Sequence, residues 1–201
     1  MRRSVRGGLA VAKPNGMVAH EARGFSLVEA VIAVSVLAVG VSAGAQVVLA
    51  SARASVASQQ AAVVQQAARE RMEQLRALVW TSDASLVPVS DWSSDLTITP
   101  PRASGGVGLG VSPADALLSN IAGYCDFLDA RGAWVGGGAQ APPGTAWVRR
   151  WSVAPTEPLA DTLTFQVIVV PVSAATGQAA VLAARGVNGA WLTDMRTRRV
   201  Q

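Results

Sequence analysis

The chain has 201 residues, half of them hydrophobic, with one His, one Cys and a formal net charge of +4. That excess lies in residues 1–24, where Arg2, Arg3, Arg6, Lys13 and Arg23 face Glu21 alone; the remainder holds twelve Arg against twelve Asp and Glu, so net charge gives no reason to expect nucleic acid. His20 and Lys13, the only His and Lys, lie in the same segment, so residues 25–201 offer no histidine base, histidine metal ligand or Schiff-base lysine, and the single Cys125 cannot close an internal disulfide.

Residues 1–24 read as a basic leader that holds the amino terminus in the cytoplasm under the positive-inside rule. The leader meets an apolar run at Arg23-Gly24-Phe25-Ser26-Leu27-Val28-Glu29, and no residue from Ala30 to Ala52 is charged. This exceeds the ~20 apolar residues that span a bilayer as a helix. Residues 25–52 are therefore predicted as the membrane-spanning half of a helix. Glu29 sits just inside that run, where a carboxylate costs about 2.5–3.5 kcal/mol on insertion scales, and an acid so placed calls for a partner. Two plainer readings are a Sec signal peptide cut at Ala43-Gly44-Ala45 and an uncleaved single-span anchor. Neither accounts for an acid five residues beyond the Arg23-Gly24 step.

The junction resembles the class III signal of type IV prepilins and pseudopilins: Gly, then Phe, a short step, Glu, and an unbroken apolar helix. The resemblance implies cleavage after Gly24 by a membrane-embedded prepilin peptidase, which also methylates the new terminus at Phe25. It also implies that the Glu29 carboxylate meets the α-ammonium of a neighbouring subunit's Phe25 in a filament core. The physical basis is that pairing two charges in hydrocarbon offsets part of both desolvation penalties and fixes the axial register between subunits. Ser26-Leu27-Val28 stands where the family often has Thr-Leu-Ile or Thr-Leu-Leu.

Phe25 to Val79 lacks Pro and is rich in helix formers, which predicts one helix about 80 Å long. Residues 53–80 form its amphipathic half. Ala68, Met72, Leu75 and Val79 make one apolar stripe opposite Gln66, Arg69, Glu73 and Arg76, and the stripe is expected to pack on a head. Arg69 and Arg76 lie within helical pairing distance of Glu73. Gly40 and Gly44 form a small-xxx-small pair within the span. The segment Ala67-Ala68-Arg69-Glu70-Arg71-Met72-Glu73-Gln74-Leu75-Arg76-Ala77-Leu78 resembles the helix end of PilV-type minor pilins and I-type pseudopilins.

Residues 81–201 are expected to form the head. The stretch from Thr81 to Thr145 is broken by Pro88, Pro100-Pro101, Gly105-Gly106, Gly136-Gly137-Gly138 and Pro142-Pro143. Tyr124–Leu128 and Ala133–Val135 read as a hairpin across Asp129-Ala130-Arg131-Gly132. Ala146–Val153, Leu163–Val172 and Ala179–Arg185 read as an antiparallel meander that covers the helix stripe. Its Trp147-Val148-Arg149-Arg150-Trp151-Ser152-Val153 strand resembles the Arg-Trp-x-Val strand of PilV-like heads.

Constellations that would carry other chemistry are incomplete. Gly106-Val107-Gly108-Leu109-Gly110 lacks the Gly-Lys-Ser/Thr ending of a phosphate loop. Asp126 and Asp129 lack a Ca²⁺ ligand ladder and read as turn and surface residues. Cys125 reads as a small buried hydrophobe. The tail Met195-Arg196-Thr197-Arg198-Arg199-Val200-Gln201, with Trp191 upstream, could touch DNA but reads as a solvated, frayed end.

The sequence predicts an α+β, pilin-like fold, with a long amino-terminal helix packed on a small antiparallel sheet. The resemblance implies a non-enzymatic minor pilin without cofactors, incorporated into a type IV pilus in a priming or tip complex. The alternatives are a minor pseudopilin of type II secretion and a membrane-anchored binding protein or adhesin that does not polymerise. Expected partners are the prepilin peptidase/methyltransferase, other major and minor pilins in a hetero-oligomeric filament, and the inner membrane. The expected location is the inner membrane with the head in the periplasm, then the pilus surface.

Overall fold

The computed structural model describes residue 24 and residues 26–174, 176–186 and 189–200. The rest of the leader, with His20 and Lys13, and the proposed methylation residue Phe25 lie outside the described residues. The chain divides at Val48/Leu49 into two compact units, and α1 (Leu27–Ala77) contributes to both.

In the amino-terminal unit α1 is apolar on every side, and it is long and apolar enough to cross a membrane. Leu27, Val28, Val31, Ile32, Val36 and Val39 are all exposed, as a span with no partner side chains around it would be. Its hydroxyls are satisfied internally. Ser35 Oγ donates to Val31 O and Ser42 Oγ to Ala38 O, each at 2.8 Å, which removes much of the cost of placing them in hydrocarbon. The helix runs through Gly40 and Gly44, and a Cβ at either would meet nothing within 4 Å.

In the second unit a five-stranded antiparallel sheet has the order β4-β3-β5-β6-β7. The strands are β3 (Cys125–Leu128), β4 (Trp134–Gly137), β5 (Trp147–Thr156), β6 (Leu159–Pro171) and β7 (Ala190–Thr197). Strand periodicity sorts the core onto two faces. Trp147, Trp151 and Val153 of β5 and Phe165, Val167 and Val169 of β6 share one cluster with Val64, Ala67, Ala68, Met72 and Leu75 of α1. Val148, Phe127, Ile168 and Val170 point the other way, against Ala180 and Ala184 of α2 (Gly177–Arg185). A second sheet, β2-β1-β8, joins β1 (Trp80–Ser82) antiparallel to β2 (Pro88–Ser90) and parallel to β8 (Arg199–Val200).

The fold class is the expected one: a long helix whose second half lies under an antiparallel sheet. The hairpin forms one or two residues from its predicted bounds. Asp129 closes it by accepting from the backbone N–H of Arg131 at 2.8 Å and of Ala133 at 2.9 Å, while Gly132 supplies a φ of +83°.

Three expectations are corrected. Residues 179–185 are not the third strand of the meander but part of α2. The segment is Ala-rich, and Ala180 and Ala184, one helical turn apart, are buried against the sheet, so helical propensity and small-residue packing outweigh the β signal of Val181-Leu182. The third meander strand is β7, in register with β6 from Thr162↔Thr197 to Val169↔Ala190. The tail is therefore not frayed: Met195 to Thr197 belong to β7, and Arg199 pairs with Thr81. Val79 leaves the stripe because α1 stops at Ala77 and the chain turns into β1, which leaves Val79 47% exposed and buries Trp80.

Gly106-Val107-Gly108-Leu109-Gly110 lies against the 91–95 loop. A Cβ on Gly106 would sit 2.3 Å from Asp95 Cα, and one on Gly108, at φ +52°, 2.4 Å from Asp91 O. These glycines permit backbone-to-backbone packing. Gly108→Ala is expected to cost about 1–3 kcal/mol and to lower the unfolding temperature of the full chain by several degrees; an unchanged Tm would contradict this packing.

Candidate functional site

The amino-terminal candidate begins at Gly24, where a built Cβ meets nothing within 4 Å. Ser26 O accepts the first helical bond, from Ala30 N at 3.1 Å, and Glu29 falls in the first turn of α1. An acid there is favoured by the helix dipole. Glu29 is exposed, and no ion pair is recorded for it among the described residues. Its neighbours Leu27, Val28, Ile32 and Val36 are exposed and apolar. Chemically the segment offers an exposed Gly24 and one exposed carboxylate at the start of the apolar half of α1.

Family comparison assigns this segment. Residues 20–45 match the prokaryotic N-terminal methylation motif. The motif takes in Gly24, Glu29 and much of the apolar run, and it supports a processed protein of the type IV pilin-like or pseudopilin-like kind. The match stops before the head, and neither curated proteins nor solved structures gave a match to the chain. The methylation motif thus lies wholly within the first compact unit.

Within the head, a buried ion cluster holds the stripe of α1 to the sheet. Asp126 on β3 is fully buried, which corrects the expectation of a turn or surface role. Arg149 on β5 grips it with both arms, Nε to Oδ1 at 2.9 Å and Nη2 to Oδ2 at 2.6 Å. Arg71 on α1 adds Nη2 to Oδ2 at 2.6 Å, donates from Nη1 to Leu96 O, and lies 4.3 Å from the ring centroid of Trp151. Arg149 Nη1 also donates to Ala67 O at 3.0 Å. Three elements thus share one carboxylate.

Two buried guanidinium groups outnumber that carboxylate. Burial, then the nearby charge of Arg149, pulls the Arg71 guanidinium down to about 10, so it still carries its proton at neutral pH. The partly exposed Glu70 approaches Arg149 to 3.7 Å and offsets some of the excess. Acceptors are short as well: Arg71 Nε and the indole N–H groups of Trp147 and Trp151 are buried without a protein acceptor. Among the described residues Asp126 is the only buried carboxylate.

Sequence reasoning missed this cluster although its signal was present. Arg71 occurs inside the apolar stripe, three residues after Ala68 and four before Leu75. Arg149 takes the inward phase of β5, between Trp147 and Trp151. A charge on the core phase of both a helix and a strand implies a buried counter-ion. The adjacent Arg150 points to the other face, donating to Asn120 Oδ1 at 3.0 and 2.7 Å and to Leu117 O at 3.1 Å.

Cys125 is buried as expected. Its Sγ lies 3.2 Å from Ile121 O and 3.0 Å from Gly138 O, and burial pushes the thiol up to about 11. The thiol is therefore protonated and inert near neutrality. Maleimide is expected to leave Cys125 unlabelled at pH 8 in the folded chain and to label it in denaturant; fast labelling of the folded protein would contradict this environment. Asp126→Asn is expected to cost about 3–5 kcal/mol, because it leaves two buried cations without their anion. Asp129→Asn at the hairpin turn is expected to cost about 1 kcal/mol or less, and denaturant unfolding of the two variants checks the difference.

Proposed function

We propose that this chain is a prepilin-class subunit: a minor pilin that is stored in the inner membrane with its head in the periplasm and then enters a type IV pilus through a priming or tip complex. It acts by assembly, without catalysis or a cofactor. Prepilin peptidase cuts after Gly24 and methylates Phe25; the partners after processing are other major and minor pilins. The observation that carries this proposal is Glu29, an exposed carboxylate in the first turn of α1, whose first half is otherwise uncharged, inside the matched motif.

The proposed mechanism follows from the cost of that charge. In hydrocarbon Glu29 is unfavourable unless a cation reaches it. Cleavage after Gly24 would create one on every copy, the α-ammonium of Phe25. A subunit displaced along the filament axis would bring its terminus to the acid of its neighbour. Pairing would set the axial step, and the apolar sides of α1 would pack around it.

Mass spectrometry of the native protein is expected to find N-methyl-Phe25 as the first residue. An intact leader in cells with active peptidase, or a terminus at Gln46, would overturn the proposal. Glu29→Ala is expected to lower filament incorporation severalfold while leaving membrane insertion unchanged. Deletion should reduce surface pili; loss of protein secretion with pili intact would instead assign the subunit to a type II secretion pseudopilus.

A further inference from the structure

On the head, the end of α1, β1 and β7 enclose a cleft of about 580 Å³ lined by Arg76, Trp80, Asp194, Arg196 and Arg199 among others, so three cations face one acid across it. The volume falls within the ~300–1,000 Å³ of small-ligand sites. Two of the cations near this cleft are already answered by acids. Arg76 Nε donates to Asp194 Oδ2 at 2.8 Å and its Nη1 to Glu73 Oε1 at 2.6 Å. Arg198 pairs with Asp161 Oδ1 at 3.2 Å and stacks 3.5 Å from the Trp80 ring centroid, which fixes that wall.

Arg196 and Arg199 differ. Among the described residues no carboxylate pairs with either. Arg196 Nη1 donates to Arg76 O and Leu78 O, both at 2.6 Å, which covers the carbonyl end of α1 that would otherwise repel an anion. Among the described residues its Nη2 and Nε meet no acceptor, and neither does any side-chain nitrogen of the exposed Arg199. The two groups feel each other: burial first, then the charge of Arg199, holds the Arg196 guanidinium below its usual value.

We propose that this cleft binds a phosphate group, held by Arg196 and Arg199 with the remaining Nη2 of Arg76 beside them. Guanidinium forks suit both carboxylate and phosphate. A tetrahedral phosphate turns a separate oxygen to each of the three guanidinium groups, and its larger negative charge offsets more of the excess that Arg196 and Arg199 leave than a single carboxylate would. The site lies in the head and is independent of the assembly role proposed for Glu29.

The test uses the full chain, ¹⁵N-labelled, in uncharged maltoside micelles at constant ionic strength. Inorganic phosphate and dioctanoyl phosphatidylglycerol are titrated separately while the arginine Nε–Hε resonances are followed. Saturable shifts at Arg196 and Arg199 are expected with at least one probe. Saturation by phosphate alone assigns a soluble phosphate ester, by the lipid alone a headgroup, and by both the phosphate group they share. Arg199→Gln, which removes a side chain with no recorded partner, is expected to raise the Kd about tenfold or more. Arg102→Gln, at an exposed position elsewhere, should leave it unchanged. Shifts that never saturate, an unaltered Kd in Arg199→Gln, or an equal loss in Arg102→Gln would overturn the site.

Discussion

The head depends on a single carboxylate. Asp126, with no exposure, takes hydrogen bonds from Arg149 on β5 and Arg71 on α1. Apolar burial brings the stripe of α1 to the sheet, but it is indifferent to a slide of the helix along its axis. The Asp126 contacts are directional, so they specify which turn of α1 meets which strand residue. The bidentate geometry of Arg149 and the stacking of Arg71 on Trp151 narrow the choice further. Replacing such a cluster by apolar residues need not reduce stability; removing one member does.

Glu29 poses the same problem in the other unit. It too is a carboxylate among apolar side chains, yet no cation of the described residues reaches it. Asp126 is answered within the chain and helps define a folded head. Glu29 stays open on a helix that is apolar on all sides, and its solution under the proposed function comes from a second molecule. One chemical rule, that a charge in an apolar setting needs a counter-charge, thus yields an internal clamp in one case and, under the proposed function, an intermolecular contact in the other.

Much of this was legible from residues alone. The apolar first half of α1 follows from the uncharged run between Ala30 and Ala52, the hairpin from Asp129 to Gly132, and two meander strands from their alternation. What stayed hidden depended on tertiary context. Residues 179–185 carry both β-branched and Ala signals, and only the small-residue seat on the outer face of the sheet decides for helix. The tail looked frayed because its strand character needs β6 and β1 as partners. Asp126 sits in a strand beside a turn, and nothing local separates a surface acid there from a buried one. The stronger clue was remote, in the inward phases of Arg71 and Arg149.

A double-mutant cycle between Arg71 and Asp126 tests the clamp most directly. Arg71→Met, Asp126→Leu and the pair together are compared by denaturant unfolding of the full chain. The account predicts that Asp126→Leu is strongly destabilising because both arginines lose their anion, that Arg71→Met costs less because Arg149 still grips Asp126, and that the double variant loses less than the sum of the two, with a coupling of about 2 kcal/mol or more. Additive losses, with coupling below about 0.5 kcal/mol, would contradict the claim that Asp126 and its arginines set how α1 lies on the sheet.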